Sequence, residues 1–372
     1  MSSEIKRILF AVTIAPTIRV LMDGQIEWLV QRGYEVHTCS AGNLESTRRD
    51  QAFGHQHHSI PMTRDMSPLR DLQSVVRWFK VIAEVRPDTL VASTPKAALV
   101  SLIAAKILRV PRKVYLLRGL RLETTSGWRR RILSLSEKVC VWCADVVIAV
   151  SPSLEREYIQ SGLASAAKVR HVGQGSSNGV NTTWLMPLSE SERSDKRHDL
   201  GFLRDDVVVA YVGRLVTDKG WDVFCESTRI AQLNNPNIRA VAIGSNEESL
   251  DVPDWIRYVG VSDDIRSWYQ AMDVLVLPTF REGFPNVPLE AAACAVPTIA
   301  SRATGAVDSV IDGLTGVLVG VRDIPQTSAA ISLLAGDSAL RQSMGIAARE
   351  RVLKDFQPES IWQGYLDIYS AL

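Results

Sequence analysis

The sequence predicts an α/β protein made of two doubly wound, Rossmann-like domains that face a central cleft. Three observations carry that expectation. At 372 residues the chain exceeds what one hydrophobic core usually supports. Each half alternates short apolar runs with amphipathic stretches, the pattern of parallel strands joined by helical crossovers. Between the halves lies a glycine-rich passage, HVGQGSSNGVN (171–181), where a hinge is expected.

In the first half RILFAV (7–12), YEVHTC (34–39), DTLVAS (88–93), KVYLLR (113–118) and DVVIAV (145–150) read as strands. The opening KRILFAVTIAPTIRVLM imitates a secretory signal, with two cations before an apolar stretch. Pro16 and Arg19 interrupt it, however, and no small-residue cleavage site follows, so it reads as the first strand. LMDGQIEWLVQRG reads as one helix closed by Gly33, and PLRDLQSVVRWFKVIAEVRP as another that starts at Ser67-Pro68 and closes before Pro87. The polar run WLMPLSESERSDKRHDLGF, after the glycine-rich passage, reads as the inter-domain linker. VVVAYVGR (207–214), RAVAIG (239–244), IRYVG (256–260), DVLVLPT (273–279) and PTIAS (297–301) repeat the strand pattern. The expected domains are 1–180, binding the acceptor of a reaction, and 181–355, binding a nucleotide. An amphipathic C-terminal helix, 356–372, is expected to pack back on the first.

The composition, 46% hydrophobic and 22% charged, is globular. No apolar run approaches the roughly 18 residues of a membrane span, and a cytoplasmic protein is expected. Five cysteines without regular spacing make no disulfide framework, and Cys140-Val-Trp-Cys143, in an apolar helical stretch, reads as buried thiols. His55, His57 and His58 read as a solvated loop. Net charge is only +1, yet residues 1–189 carry 25 Lys/Arg against 15 Asp/Glu and residues 190–372 carry 17 against 26. A basic half beside an acidic one points to an anionic partner, either a membrane surface or a phosphorylated substrate. The basic-aromatic motifs of nucleic-acid modules are absent, and no nucleic acid is expected. GWRRRILSLSEKV (127–139) joins Arg129, Arg130 and Arg131 to Ile132, Leu133 and Leu135, a pairing suited to an anionic membrane surface.

The chemistry concentrates in the second half. In YVGRLVTDKGWD a strand ends at Gly213-Arg214, and Lys219-Gly220 opens the next helix. That puts two cations at one rim of a crevice, where Arg grips phosphate bidentately and Lys acts as a point charge. REGFPNVPLE (281–290) lies between a buried strand and AAACAV, which reads as helix. It carries Glu282 and Glu290 on either side of a turn that contains Gly283 and Pro285. Gly283 permits close backbone approach, Pro285 and Pro288 suit a helix start, and the N–H groups of that start form an anion site. Two carboxylates with N–H donors between them, opposite Arg214 and Lys219, suit a diphosphate flanked by two polyhydroxylated ends. A nucleotide sugar is such a ligand.

Together GRxxxxKG, the E-x7-E of Glu282 and Glu290, and PTIASRATGAVDSVIDGLTGVLV resemble the retaining glycosyltransferases of family four, which have the GT-B fold. STPKAAL (93–99), RGLRLE (118–123) and GQGSSNGV (173–180) are similar to a branch acting in bacterial capsule, O-antigen and lipid-linked oligosaccharide assembly. The resemblance implies that Arg214 and Lys219 bind the donor diphosphate. It also implies that Glu282, Gly283, Phe284, Pro285 and Asn286 surround sugar and phosphates, and that Glu290 takes the ribose. Relatives carry His where this chain has Ser93 and Arg118. Arg118 stays protonated and cannot act as a general base, but it can stabilise the charge of the departing phosphate.

The reading is a metal-independent transfer, without cofactor, from a UDP-sugar to a polyprenyl-diphosphate-linked saccharide at the cytoplasmic membrane face. By the resemblance, transfer is front-face and the leaving diphosphate helps deprotonate the acceptor. No DxD-like motif ends a strand, since Asp205-Asp206 and Asp263-Asp264 read as solvated or capping acids. A sugar-nucleotide epimerase of the same architecture, or a non-catalytic sugar-nucleotide-binding subunit, are the alternatives.

Overall fold

The computed structural model describes residues 6–42, 55–61 and 68–371. They form two compact units, residues 1–178 with 358–372 and residues 179–357. Each unit holds one all-parallel sheet.

The first sheet has the order β3-β2-β1-β4-β5-β6-β7. Its strands are β1 (Arg7–Ile14), β2 (Glu35–Ala41), β3 (Gln56–Ser59), β4 (Thr89–Ser93), β5 (Arg112–Leu117), β6 (Val146–Ala149) and β7 (Val169–Arg170). The second runs β10-β9-β8-β11-β12-β13. It is built from β8 (Val207–Val212), β9 (Ile238–Ile243), β10 (Ile256–Gly260), β11 (Val274–Leu277), β12 (Thr298–Ser301) and β13 (Gly316–Val319). All six residues of β8 and all four of β11 are buried, as sheets covered by helices on both faces require. In each sheet the strand order reverses once, between β1 and β4 and between β8 and β11, and ligands of open α/β sheets bind at such reversals. β8 and β11 pair only at Val209 with Val274 and Ala210 with Leu275, so their carboxyl ends run on unpaired with each other.

The C-terminal helix (Pro358–Ser370) packs within the first unit. Trp362 meets Trp28 edge-on at 5.9 Å and donates to Asn178 Oδ1. Tyr365 donates to the Ser176 carbonyl at 2.8 Å. Arg112 and Thr89 donate to the Ile368 and Tyr369 carbonyls near the helix end, where carbonyls lack intrahelical partners.

Several expectations are corrected. The stretch read as one helix, 21–33, holds only the last residue of a helix Ala15–Leu21 and then a second helix, Gln25–Gln31. Gly24 breaks it with φ +74°, and a Cβ there would lie 2.8 Å from the Trp362 ring. The helix Pro68–Val85 is present, and Ser67, read as its start, lies outside the described residues. Of the histidine cluster, His57 and His58 lie on an edge strand, not in a solvated loop, and His55 just precedes it. In β3, His58 stacks on His37 with its Nε2 3.1 Å from His37 Nδ1, and His57 bonds Thr38. The helix after the Gly-Phe-Pro turn is Val287–Ala293 and ends before Cys294. Cys140 and Cys143 are buried on the inner face of the helix Gly127–Cys143, and burial raises both thiol pKa values.

The polar run read as a linker is a helix of the second unit, Glu190–Asp199. Ser189 and Glu192 close it with a reciprocal capping box. One turn apart, Arg193 and Arg197 reach Asp273 at 2.9 and 2.8 Å, and Asp273 also accepts from Val208 N at 2.7 Å. Asp206, read as solvated or capping, is buried, accepts from Leu203 N and pairs with Arg239 at 3.0 Å. Asp264 does cap a helix, accepting from Ser267 N. Burial raises the Asp273 pKa, but the two guanidiniums outweigh it and the net shift is downward. Its contribution to stability is therefore present above the unfolded pKa and is lost as pH falls through the folded one. Asp273→Ala should cost about 3–5 kcal/mol by stranding two guanidiniums. Denaturant unfolding at neutral pH measures it, and a cost below about 1 kcal/mol would show the cluster to be surface decoration.

Candidate active site

The site grows out of the reversal between β8 and β11. After β8 the chain runs through Gly213 and Arg214 into a 3-10 turn, Thr217–Lys219. After β11 it runs through Thr279 to Asn286, the residue that precedes the helix Val287–Ala293. Four contacts tie the loops together. The Asp218 carbonyl accepts from Phe280 N at 3.0 Å and from Thr279 Oγ1 at 3.3 Å. Its carboxylate accepts from Arg281 at 2.8 Å. Lys219 Nζ donates to Glu282 Oε1 at 2.5 Å, both side chains being largely shielded.

Lys219 and Glu282 are thus a preformed pair spanning the crevice. Arg214 pairs instead with Glu247 at 2.8 Å, where both side chains are over two-fifths exposed. Such a pair is worth little, so Arg214 is free to exchange its partner for an anion. The Arg214 carbonyl accepts from Tyr211, which anchors the loop to the core beside Trp221 and Phe224. Glu248 holds Thr217 through both N and Oγ1.

From behind, the Glu282 loop rests on the segment after β12. Glu282 N donates to the Thr304 carbonyl at 2.9 Å. Gly305, at φ +76°, lies so close that a Cβ there would sit 2.3 Å from the Gly283 carbonyl oxygen. The close approach expected of Gly283 is therefore made possible by Gly305. Gly283 and Pro285 are buried. The Phe284 ring, expected to border the ligand, is buried against Phe356 at 5.6 Å, so its part is to hold the loop down. Asn286 Oδ1 is shielded from solvent and has no hydrogen-bond partner. Glu290, on the helix Val287–Ala293, accepts from Tyr269 at 2.5 Å. Burial raises its pKa, and the Tyr269 hydroxyl opposes that shift.

The first unit carries the remaining candidates at the carboxyl ends of its own strands. Ser93 ends β4 and is buried. Beyond it Thr94 takes φ +71°, unusual for a β-branched residue, and accepts from Thr13 N at 3.0 Å. Arg118 follows β5, with Nε and Nη1 shielded and without partners.

Sequence reasoning missed Asp218, Tyr269, Thr304, Gly305, Glu247 and Glu248. The Glu247-Glu248 pair just past a predicted strand was a usable signal. Tyr269 and Thr304 carry none, because their roles exist only across elements.

Two Rossmann-like units, the second with a cation–carboxylate crevice at its strand reversal, are the architecture of the GT-B fold. Residues 18–175 match the model of a glycosyl transferase 4-like domain, and residues 206–337 that of glycosyl transferases group 1. The chain is 37% identical to the capsular polysaccharide biosynthesis glycosyltransferase CapM of Staphylococcus aureus, over 98% of this chain and 97% of that one. It is 23% identical, over 82% of this chain and 83% of the relative, to a Campylobacter jejuni enzyme named N,N'-diacetylbacillosaminyl-diphospho-undecaprenol alpha-1,3-N-acetylgalactosaminyltransferase. Anabaena HepE, solved in complex with UDP and glucose, superposes with a TM-score of 0.80 at 20% identity, over 99% of this chain and all of that one. The chain belongs to the family-four glycosyltransferases.

Gly305→Ala tests the floor of the site. The added methyl must displace the Gly283 carbonyl, at a cost of about 1–3 kcal/mol, and carries Glu282 away from Lys219. Loss of transfer activity together with a lowered unfolding midpoint is expected. Wild-type values for both would show that the loop does not rest on Gly305.

Proposed function

We propose that the protein is a retaining glycosyltransferase that moves a sugar from a UDP-sugar to a polyprenyl-diphosphate-linked saccharide in bacterial surface polysaccharide assembly. The observation that carries this reading is the Lys219–Glu282 pair across the strand reversal, with Arg214 on the same loop. Support comes from the names of CapM and the Campylobacter enzyme, and from UDP in the HepE structure. In this mechanism Arg214 leaves Glu247 for the donor diphosphate and Lys219 neutralises the leaving phosphate, with no metal required. Glu282, already beside Lys219, faces the transferred sugar and strengthens its hold as the anomeric centre becomes cationic. Glu290, held in place by Tyr269, takes the ribose. The enzyme's part is positioning and charge stabilisation. The epimerase alternative, weakened by Ser93 and Arg118 standing where an acid/base His would be needed, has no further observation in its favour.

Three variants test the division of labour. Lys219→Ala removes a charge-assisted contact worth about 1.5–3 kcal/mol, so UDP affinity should fall about tenfold or more. Glu290→Gln should weaken UDP as well. Glu282→Gln should bind UDP at least as well as wild type, because Lys219 is released, while turnover collapses. Calorimetric titration of UDP with a transfer assay on each variant decides it. If Glu282→Gln and Glu290→Gln lose UDP affinity alike, the roles are wrong.

The same reading places the protein on the cytoplasmic membrane face. Among the described residues no helix is long and apolar enough to cross a membrane. On the helix Gly127–Cys143, Glu137 faces inward and accepts from Tyr115 and Tyr158 at 3.0 and 2.8 Å. The outer face exposes Trp128, Ile132, Leu135 and Trp142, at spacings that keep them on one side, with both tryptophans 67% exposed. Arg129, Arg131 and Lys138 are exposed among them, and Lys106 lies 3.9 Å over the Trp142 ring. Apolar anchors flanked by cations suit an anionic interface. Sedimentation with anionic liposomes should show binding that weakens with salt. Equal binding to neutral vesicles at every salt concentration would remove the electrostatic part.

A further inference from the structure

Among the described residues, Arg118 of the first unit forms no ion pair. It follows β5 at the carboxyl edge of the sheet, where ligands of open α/β folds bind. Its Nε and Nη1 are shielded from solvent and meet no acceptor. The groups acting on it are the phenols of Tyr365 and Tyr369 from the C-terminal helix. Neither phenol supplies negative charge, since burial pushes Tyr365 up to about 12 and Tyr369 higher still. The Tyr365 hydroxyl is already spent on the Ser176 carbonyl. Arg197, by contrast, is shielded and answered, meeting Asp273 and the Ala271 and Asp206 carbonyls.

A desolvated guanidinium stays charged, and leaving it unpaired is costly. Such a cost is repaid when a ligand brings the anion. Within the proposed reaction, the donor diphosphate already has Arg214 and Lys219 in the second unit. Arg118, by contrast, opens the segment that leads through the turn Arg121–Thr124 into the tryptophan- and arginine-bearing helix Gly127–Cys143, and Arg130 of that helix donates back to the Leu122 carbonyl. A lipid carrier approaching along that helix would bring its own phosphates toward this edge.

We propose that Arg118 is the anion receptor of the first unit and that it binds the diphosphate linking the acceptor saccharide to its lipid. The unpaired donors stand without the glycosyltransferase reading; only the source of the phosphate rests on it.

Wild type, Arg118→Met and Arg118→Lys are to be titrated with a short-chain prenyl diphosphate below its micelle concentration, with the matching prenyl alcohol, and with UDP. Wild type is expected to bind the diphosphate and not the alcohol. Arg118→Met should weaken that binding about tenfold or more, and Arg118→Lys should recover part of it. UDP affinity should stay within about twofold, and the ligand-free melting temperature of Arg118→Met should equal or exceed that of wild type. Unchanged diphosphate affinity in Arg118→Met overturns the proposal. So does a parallel loss of UDP affinity, which would assign Arg118 to the donor phosphates, or a lower ligand-free melting temperature, which would mean that the guanidinium is already compensated. If Arg118→Met fails to fold, the melting comparison has already decided against the proposal. Failure of the donor reading shows separately, as UDP binding untouched by Lys219→Ala.

Discussion

Where the strand order of the second sheet reverses, β8 and β11 share only two paired positions, and the chain beyond each goes its own way. Backbone that would have been satisfied by a neighbouring strand must find partners across the gap. The Asp218 carbonyl does so for Phe280 N, the side-chain pairs Lys219–Glu282 and Arg281–Asp218 bridge the same gap, and so the two chemically richest loops of the chain are fastened to each other. The core stands behind this fastening. Tyr211, Trp221 and Phe224 hold the β8 loop from below, and Phe284 on Phe356 holds the β11 loop. A site at this position follows from sheet topology, and the side chains there convert a topological gap into a charged crevice.

Charge is handled in two ways in this protein. Asp273 is shielded but answered by two guanidiniums and a backbone N–H, and it ties a helix to the sheet. Glu137 is likewise answered by two phenols. These groups serve the fold. Arg118 Nε and Nη1 and Asn286 Oδ1 are shielded and left unanswered, while Arg214 sits in a pair exposed enough to be given up. A polar group left unsatisfied in a native structure calls for an explanation, and Arg118 and Asn286, like the weakly paired Arg214, lie on segments that follow strands.

The legible part of the fold was the part written in apolar runs. Buried parallel strands are nearly continuous in Val, Ile, Leu and Ala, so VVVAYV and VLVL stood out from their own composition. β3 did not, because QHHS is held by pairing with β2 and by the His58–His37 stack, neither visible locally. The helix Glu190–Asp199 looked like linker for the same reason. Its capping box was readable in Ser189 and Glu192, but its docking depends on Asp273, some eighty residues away.

By itself the sequence determined the α/β class, ten of the strands, the family, and the residues in which charge and turn chemistry coincide, since each depends on patterns within a few residues. Tertiary structure alone decided which of those residues meet. It paired Lys219 with Glu282, gave Arg214 to Glu247 and Glu290 to Tyr269, turned Phe284 inward, and made Gly305 the floor beneath Gly283. The reason is physical. A carboxylate's role is set by what shields and what opposes its charge, and those neighbours arrive from distant segments only when the sheet has formed.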